Sequence, residues 1–149
     1  MKYHPSPRGS NPRGMSLLEL TVVILVLLSL VAVLFIGSRA WKRSGDRAGC
    51  VLSQRNIQMA TRSYQNLYGY NYGGRPYAEN GTQDIARHLY EKGYIERRLF
   101  DLATGVTTCP SGGTYSCTTP DIFPLSGQLF IQCSLSDSEG HIPQVYTDW

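Results

Sequence analysis

The clearest pattern in the chain is one long run of apolar residues near its N-terminus. Between Met15 and Ile36, 18 of 22 positions are apolar, and Leu20–Ile36 carries no charged side chain. A helix rises ~1.5 Å per residue, so this segment reaches about 33 Å, enough for the ~30 Å hydrocarbon core of a bilayer. The pattern predicts a membrane-spanning helix.

The helical pattern continues beyond Gly37 to about Leu67. Apolar residues at spacings of three, four and seven predict one buried stripe along this part of the helix. The stripe consists of Cys50, Ile57, Ala60, Tyr64 and Leu67, whereas Arg47, Arg55, Arg62 and Gln65 are expected on other faces.

The remaining sequence predicts a small mixed domain. A loop rich in Tyr and Gly covers Tyr68–Tyr77, and a short helix over Gln83–Lys92 is expected to begin after a Thr82 cap, with Ile85 and Leu89 inward and His88 towards solvent. Thr114–Thr118 and Gln128–Leu135 have the pattern of strands, with turns between them. The fold class is therefore α+β.

Composition excludes one class of protein, and charge argues against another. Outside the apolar run only about a third of the residues are apolar, which is too few for a large soluble enzyme with a single buried core. From Met15 onward 11 basic residues balance 11 acidic ones. Because bulk positive charge drives nucleic-acid binding, nucleic acid is not an expected partner.

Three interpretations of the apolar run compete. A secretory signal peptide would be cut near Ser38–Ala40, but its apolar core is ordinarily ~7–15 residues and lacks a charge such as Glu19. A plain signal anchor gives no reason for that carboxylate. An ionisable residue within a membrane segment costs ~2.5–3.5 kcal/mol on insertion scales and points to a function.

The third interpretation accounts for Glu19 through its neighbours. The segment Arg13–Ile24, RGMSLLELTVVI, resembles the type IV prepilin signature. The resemblance implies that a prepilin peptidase cuts between Gly14 and Met15, that Met15 is then N-methylated, and that Glu19 is the fifth mature residue. Met15 and Ser16 stand where Phe and Thr are more usual.

The four-residue spacing of Met15 and Glu19 also has a direct chemical consequence. Residues i and i+4 share one helix face, so a new amino group on Met15 would project beside the Glu19 carboxylate. A buried carboxylate needs an opposite charge. In a filament, the terminal amine of a neighbouring subunit could supply it and fix the axial register.

The resemblance implies a pilin-like fold, with a long N-terminal helix packed on a small antiparallel β-sheet head. Residues 1–14 would be the leader, 15–37 the transmembrane half of the helix, 38–67 its periplasmic half and 68–149 the head. The implied protein is a non-enzymatic subunit of a type II secretion pseudopilus in the bacterial inner membrane, with no cofactor. Its implied partners are further copies of itself, other pseudopilins, the prepilin peptidase, the inner-membrane assembly platform and membrane lipid.

The four cysteines all follow the apolar run and allow three disulfide pairings. Cys109-Pro-Ser-Gly-Gly-Thr-Tyr115, with Cys133 and His141 after it and a helical Cys50 before it, resembles a hairpin of secretion pseudopilins. In an exported domain we expect disulfides. A hairpin would bring Cys109 beside Cys133, which leaves Cys50 to pair with Cys117.

Metal binding and catalysis are the alternatives for these residues. A site of Cys109, Cys117, Cys133 and His141 would lack the close C-x₂₋₄-C spacing of structural zinc sites. Asp137 and Glu139 are candidate calcium ligands, although the EF-hand spacing is absent. No triad context surrounds Cys109, so a nucleophile is not expected.

Two other functions stay open. One is a type IV pilin for adhesion or DNA uptake, which belongs to the same class. The other is a membrane-anchored binding or enzyme domain in which the Gly14–Glu19 spacing is a coincidence.

Overall fold

The computed structural model describes residues 16–148, which fold into four helices and two strands. The helices are α1 (Leu17–Tyr68), α2 (Ile85–Glu91), α3 (Arg97–Ala103) and α4 (Ser136–Glu139), and the strands are β1 (Tyr115–Cys117) and β2 (Ile131–Cys133). The chain divides after Ala40 into two units. A long apolar N-terminal helix and a small antiparallel sheet are present, as the sequence predicts. Gly14 and Met15 lie outside the described residues.

The described part of the first unit is the apolar start of α1, and all of its side chains are exposed. This part of the helix is long and apolar enough to cross a membrane. The hydroxyl residues of this helix segment are Thr21, Ser29 and Ser38, and each hydroxyl donates to the backbone carbonyl three residues earlier. The hydroxyl groups therefore have partners that do not depend on water.

The second unit has its core between the rest of α1, the short helices and the sheet. Cys50, Ile57, Ala60 and Tyr64 are buried on α1, which confirms most of the predicted stripe. Tyr64 is the centre of a ring cluster and packs against Tyr70, Tyr94 and Phe123 among others.

Two expectations about α1 are wrong. Leu67 is 73% exposed, because it lies in the last turn, beyond the core residues that cover Tyr64. Gln65 is buried, as are Gln54, Gln58 and Thr61. Loop backbones supply hydrogen-bond partners for two of them: Gln54 donates to the His141 carbonyl, and Gln58 donates to the Gln128 carbonyl and accepts from Phe130 N–H. Thr61 donates to the Ile57 carbonyl of its own helix, and Gln65 accepts from Arg62.

The short helix forms where expected, with a different cap. Asp84 is its N-cap and its carboxylate accepts from Ala86 N–H, while Thr82 Oγ1 accepts from Asp84 N–H. Ile85 and Leu89 face inward. His88 is buried as well, contrary to the expectation, because it packs against the Tyr64 ring and its Nε2 lies 3.1 Å from the Thr82 carbonyl.

The two strands pair antiparallel, with Tyr115 opposite Cys133 and Cys117 opposite Ile131. They are shorter than the predicted segments, and the turns between them are long. This pairing places the end of β2 beside the start of β1, next to the residues that precede β1 in the chain.

Candidate functional site

A buried cluster of three cysteines and one histidine lies in the second unit. It is formed by Cys50, Cys109, Cys133 and His141, each at most 2% exposed. Their sulfur atoms and one imidazole nitrogen all lie within 4.8 Å of one another. Cys109 Sγ lies 3.3 Å from His141 Nδ1. Sulfur and imidazole nitrogen are the ligand atoms that zinc and similar metals prefer.

Four separate segments bring these side chains together. Cys50 lies on α1, Cys109 in the loop before β1, Cys133 at the end of β2, and His141 after α4. A tight turn shapes the Cys109 loop, since Cys109 N–H donates to the Gly113 carbonyl and Gly112 N–H to the Cys109 carbonyl, both at 2.7 Å.

His141 is fixed by contacts to two of the other segments. Gly140 ends α4 with a left-handed φ of 66°, and His141 N–H then donates to the Leu135 carbonyl. Gln54 Nε2, on α1, donates to the His141 carbonyl at 2.8 Å. These two hydrogen bonds therefore hold the backbone of His141 beside the cluster.

Because Gly113 has no side chain, the Cys133 sulfur can lie against its backbone. A Cβ at Gly113 would lie 2.8 Å from Cys133 Sγ and 2.8 Å from Leu135 Cγ. Real Cβ atoms do not approach this closely, so any larger residue would displace the sulfur or the Leu135 side chain.

Each of the three sulfurs faces an N–H donor. Gln54 Nε2 lies 3.4 Å from Cys50 Sγ, and Ser111 N–H lies 3.4 Å from Cys109 Sγ. Cys133 Sγ accepts from the backbone of Leu135. Hydrogen bonds to sulfur stabilise a thiolate more than a neutral thiol, because the acceptor is charged.

The second nitrogen of His141 faces a carboxylate. Its Nε2 lies 3.7 Å from Glu139 Oε2, and Glu139 is itself more than half exposed. A surface recess leads to this edge of the cluster and is lined by Arg43, Ser44, Arg47, Glu139 and His141. Two of these lining side chains, Arg43 and Arg47, are cationic.

Two of the cluster thiols have shifted pKa values because they are buried. Burial raises the pKa of Cys133 to about 12 and raises that of Cys50 above its usual value. The Tyr115 hydroxyl is buried near Cys50, and burial and that thiol raise its pKa too. Among the described residues this hydroxyl has no hydrogen-bond partner of standard geometry.

Cys117 lies outside the cluster. Its thiol donates to the Ala103 carbonyl at 3.3 Å, on the side of β1 that packs against α3. All four cysteines are free. Cys50 therefore lies beside Cys109 and Cys133, whereas the sequence analysis left Cys50 to pair with Cys117. The alternative metal set likewise contains Cys50 in place of Cys117.

The other candidate residues lie apart from the cluster or at its edge. Asp137 is exposed on α4, and Glu139 lies 3.7 Å from His141 Nε2 at the edge of the cluster. Glu19 is exposed in the first turn of α1. The Cys109–His141 contact resembles that of a cysteine nucleophile, but both residues are only 2% exposed, which leaves a substrate no access to the sulfur.

The chain has no match among protein-family models, curated proteins or solved structures. Any function assigned to it depends on two features of its own residues. One is the exposed apolar helix segment with its single acidic residue near the start, and the other is the buried cluster of cysteines and histidine.

Proposed function

We propose that this protein is a membrane-anchored filament subunit of the type IV pilin class, and specifically a pseudopilin of a type II secretion system. The observation that carries the proposal is the exposed apolar start of α1, in which Glu19 is the one charged side chain between Leu17 and Ser38. A helix that is apolar on all sides and uncovered by its own chain needs lipid or other subunits around it.

The position of Glu19 favours assembly over simple anchoring. A carboxylate in the first turn gains ~0.3–1 kcal/mol from the helix dipole. Placing it in a membrane costs ~2.5–3.5 kcal/mol, so the dipole does not offset the cost. A plain anchor would be more stable with Leu at this position, whereas a filament subunit would use the charge.

Pairing with a terminal amine would give the Glu19 charge a role in the filament. Cleavage after Gly14 would create an amino group on Met15, four residues before Glu19. In an assembled filament the carboxylate of one subunit would pair with the amine of the next, and each added subunit would be held at one axial position. The hydroxyls of Thr21, Ser29 and Ser38 already have carbonyl partners, so they place no further unsatisfied groups in the apolar shaft.

The second unit would then be the periplasmic part of the subunit, made of the periplasmic half of α1 and the head over residues 68–149. In this proposal the protein catalyses no reaction: it is cut by the prepilin peptidase and is extracted from the inner membrane by the assembly platform. Growth of the filament would move exported proteins outward. An adhesive or DNA-uptake pilin would instead form long filaments on the cell surface.

Intact-mass spectrometry of the membrane-fraction protein tests the proposal. The expected chain lacks residues 1–14 and carries one methyl group on Met15. A Gly14→Val variant should keep the leader, because a branched side chain blocks the peptidase subsite that the motif implies. A mature wild-type chain that begins at Trp41 would establish a signal peptide, and an uncut wild-type chain would establish a plain anchor.

A further inference from the structure

We propose that Cys50, Cys109, Cys133 and His141 bind one structural zinc ion in the second unit. The proposal goes beyond the filament function and does not depend on it. Three thiolates and one imidazole are a complete ligand set for tetrahedral Zn²⁺, with no position left for water or substrate. The burial of all four residues fits a structural site.

The spacing of the ligand atoms fits a metal of this size. Zinc bonds to sulfur at ~2.3 Å and to nitrogen at ~2.0–2.1 Å, so tetrahedral ligand atoms lie roughly 3.5–3.8 Å apart. The four atoms here lie within 4.8 Å of one another, and Cys109 Sγ is 3.3 Å from His141 Nδ1. Shifts of about 1 Å or less in the side chains would complete the tetrahedron.

The number of sulfurs favours a metal over disulfides. Three cysteines converge while Cys117 bonds to the Ala103 carbonyl on another face. A disulfide between any two of the three would leave the third thiol buried beside it with the imidazole. Two disulfides could not form without moving Cys117 out of its packed position. Metal coordination uses every member of the cluster.

The surroundings supply what a zinc–thiolate centre requires. Gln54, Ser111 and Leu135 each present an N–H to one sulfur. Three thiolates and one Zn²⁺ carry a net charge of −1, and Arg43 and Arg47 line the recess at that edge.

The arrangement around His141 is also that of a metal ligand. His141 directs Nδ1 to the cluster and Nε2 towards Glu139. Metal-bound histidines commonly place their second nitrogen against a carboxylate in this way, which fixes the tautomer and the ring orientation.

The ion would join four separate segments of the second unit. It would connect α1, the loop before β1, the end of β2 and the segment after α4 at one point. Each strand has only three residues, so the sheet alone offers little to hold these segments together. A zinc centre would fix the C-terminal segment on α1.

The test is metal analysis of the full-length chain, purified in detergent without chelator. We expect about one zinc ion per chain, and X-ray absorption with three sulfur neighbours and one nitrogen neighbour at the distances given above. Cys109→Ser should lower the zinc affinity at least ~100-fold. Cys117→Ser is the matched control and should keep one zinc ion per chain.

The wild-type chain also tests the site if the Cys109→Ser variant fails to fold. After removal of the metal by a chelator, Co²⁺ should bind in a 1:1 ratio and give the visible bands of tetrahedral thiolate coordination. The proposal is overturned if the chain takes up no zinc, if mass spectrometry finds a disulfide between two of the three clustered cysteines, or if Cys117→Ser loses zinc as Cys109→Ser does. Stoichiometric iron in the place of zinc would overturn the choice of metal.

Discussion

Nδ1 of His141 lies 3.3 Å from Sγ of Cys109, although 32 positions separate the two residues. The carbonyl of the same histidine accepts a hydrogen bond from Gln54, which is 87 positions away on α1. One residue thus connects the helix, the loop before β1 and the C-terminal segment. A change at any of these three places should therefore be measurable at the other two.

Glu139 should act as a positioning residue for His141. Because its carboxylate lies 3.7 Å from Nε2, beyond direct hydrogen-bond distance, Glu139→Gln should weaken zinc binding by roughly tenfold, the low end of such effects. X-ray absorption should still find three sulfurs and one nitrogen. Asp137→Asn, on the same helix and with the same loss of charge, should bind zinc as the wild type does. Equal effects of the two changes would indicate a general charge effect.

Gly113→Ala should destabilise the second unit by about 1–3 kcal/mol, the usual cost of adding an atom to a packed site. The added Cβ would lie 2.8 Å from Cys133 Sγ. Chemical unfolding of the detergent-solubilised chain, followed by near-UV circular dichroism of its tyrosines, measures this free energy. Gly45→Ala is the control: it has open space around it on α1 and should stabilise by ~0.5–1 kcal/mol. A neutral Gly113→Ala would contradict the close approach.

Gln58→Met should destabilise by about 2–4 kcal/mol although it adds apolar surface. The Gln58 amide bonds to the Gln128 carbonyl and to Phe130 N–H, and an unpaired buried polar group costs ~1–3 kcal/mol. Gln132→Met, on the exposed face of β2, should change the free energy of unfolding by less than ~0.5 kcal/mol. The same unfolding measurement compares the two variants. A stabilised Gln58→Met would show that the two backbone groups find other partners.

Cys117 should react slowly with alkylating reagents. Burial, and secondly the charge of Asp84, raise the pKa of its thiol from 9.0 to about 12. The thiolate is the reactive form, so at pH 8 alkylation should be at least ~100-fold slower in the folded than in the unfolded chain. The unfolded thiol ionises first as pH rises, so this group's contribution to stability is complete below pH 9 and falls above it. Peptide mapping after timed labelling measures the rate; equal rates in both states, or a disulfide at Cys117, would contradict this.

The elements that the sequence predicts well are those with a local signal. The apolar start of α1 is evident from composition alone, and α2 and the two strands follow from local periodicity and turns. In contrast, the sequence gives no clear signal for α3. This helix has only seven residues, and its N-cap, Glu96, makes no side-chain capping bond.

The parts that the sequence does not reveal depend on distant partners. Gln54 and Gln58 look like surface residues, yet their amides bond to backbone groups 70 or more positions away. His88 is buried against expectation because the Tyr64 ring, on α1, packs against it. The ligand cluster is also non-local: the CPSGGTY motif indicates Cys109, but only the folded chain shows that Cys50, not Cys117, lies beside it.

Substitution of Glu19 tests whether this carboxylate serves assembly. If Glu19 pairs with the Met15 amine of a neighbouring subunit, Glu19→Ala should still be cleaved after Gly14 but should fail to form filaments. Breaking a buried pair from one side costs ~3–5 kcal/mol, and the loss recurs with every subunit added. Glu19→Gln should be nearly as damaging, since it keeps the shape and loses the charge. Ser29→Ala, in the same segment, should assemble normally because its hydroxyl bonds only within its own helix.

The decisive measurement is the amount of sheared or cross-linked filament formed when each variant is the sole copy and its processing has been verified by mass. We expect processed Glu19→Ala subunits in the membrane and no filament above background, with Ser29→Ala at the wild-type level. Normal filaments from processed Glu19→Ala would contradict the pairing mechanism.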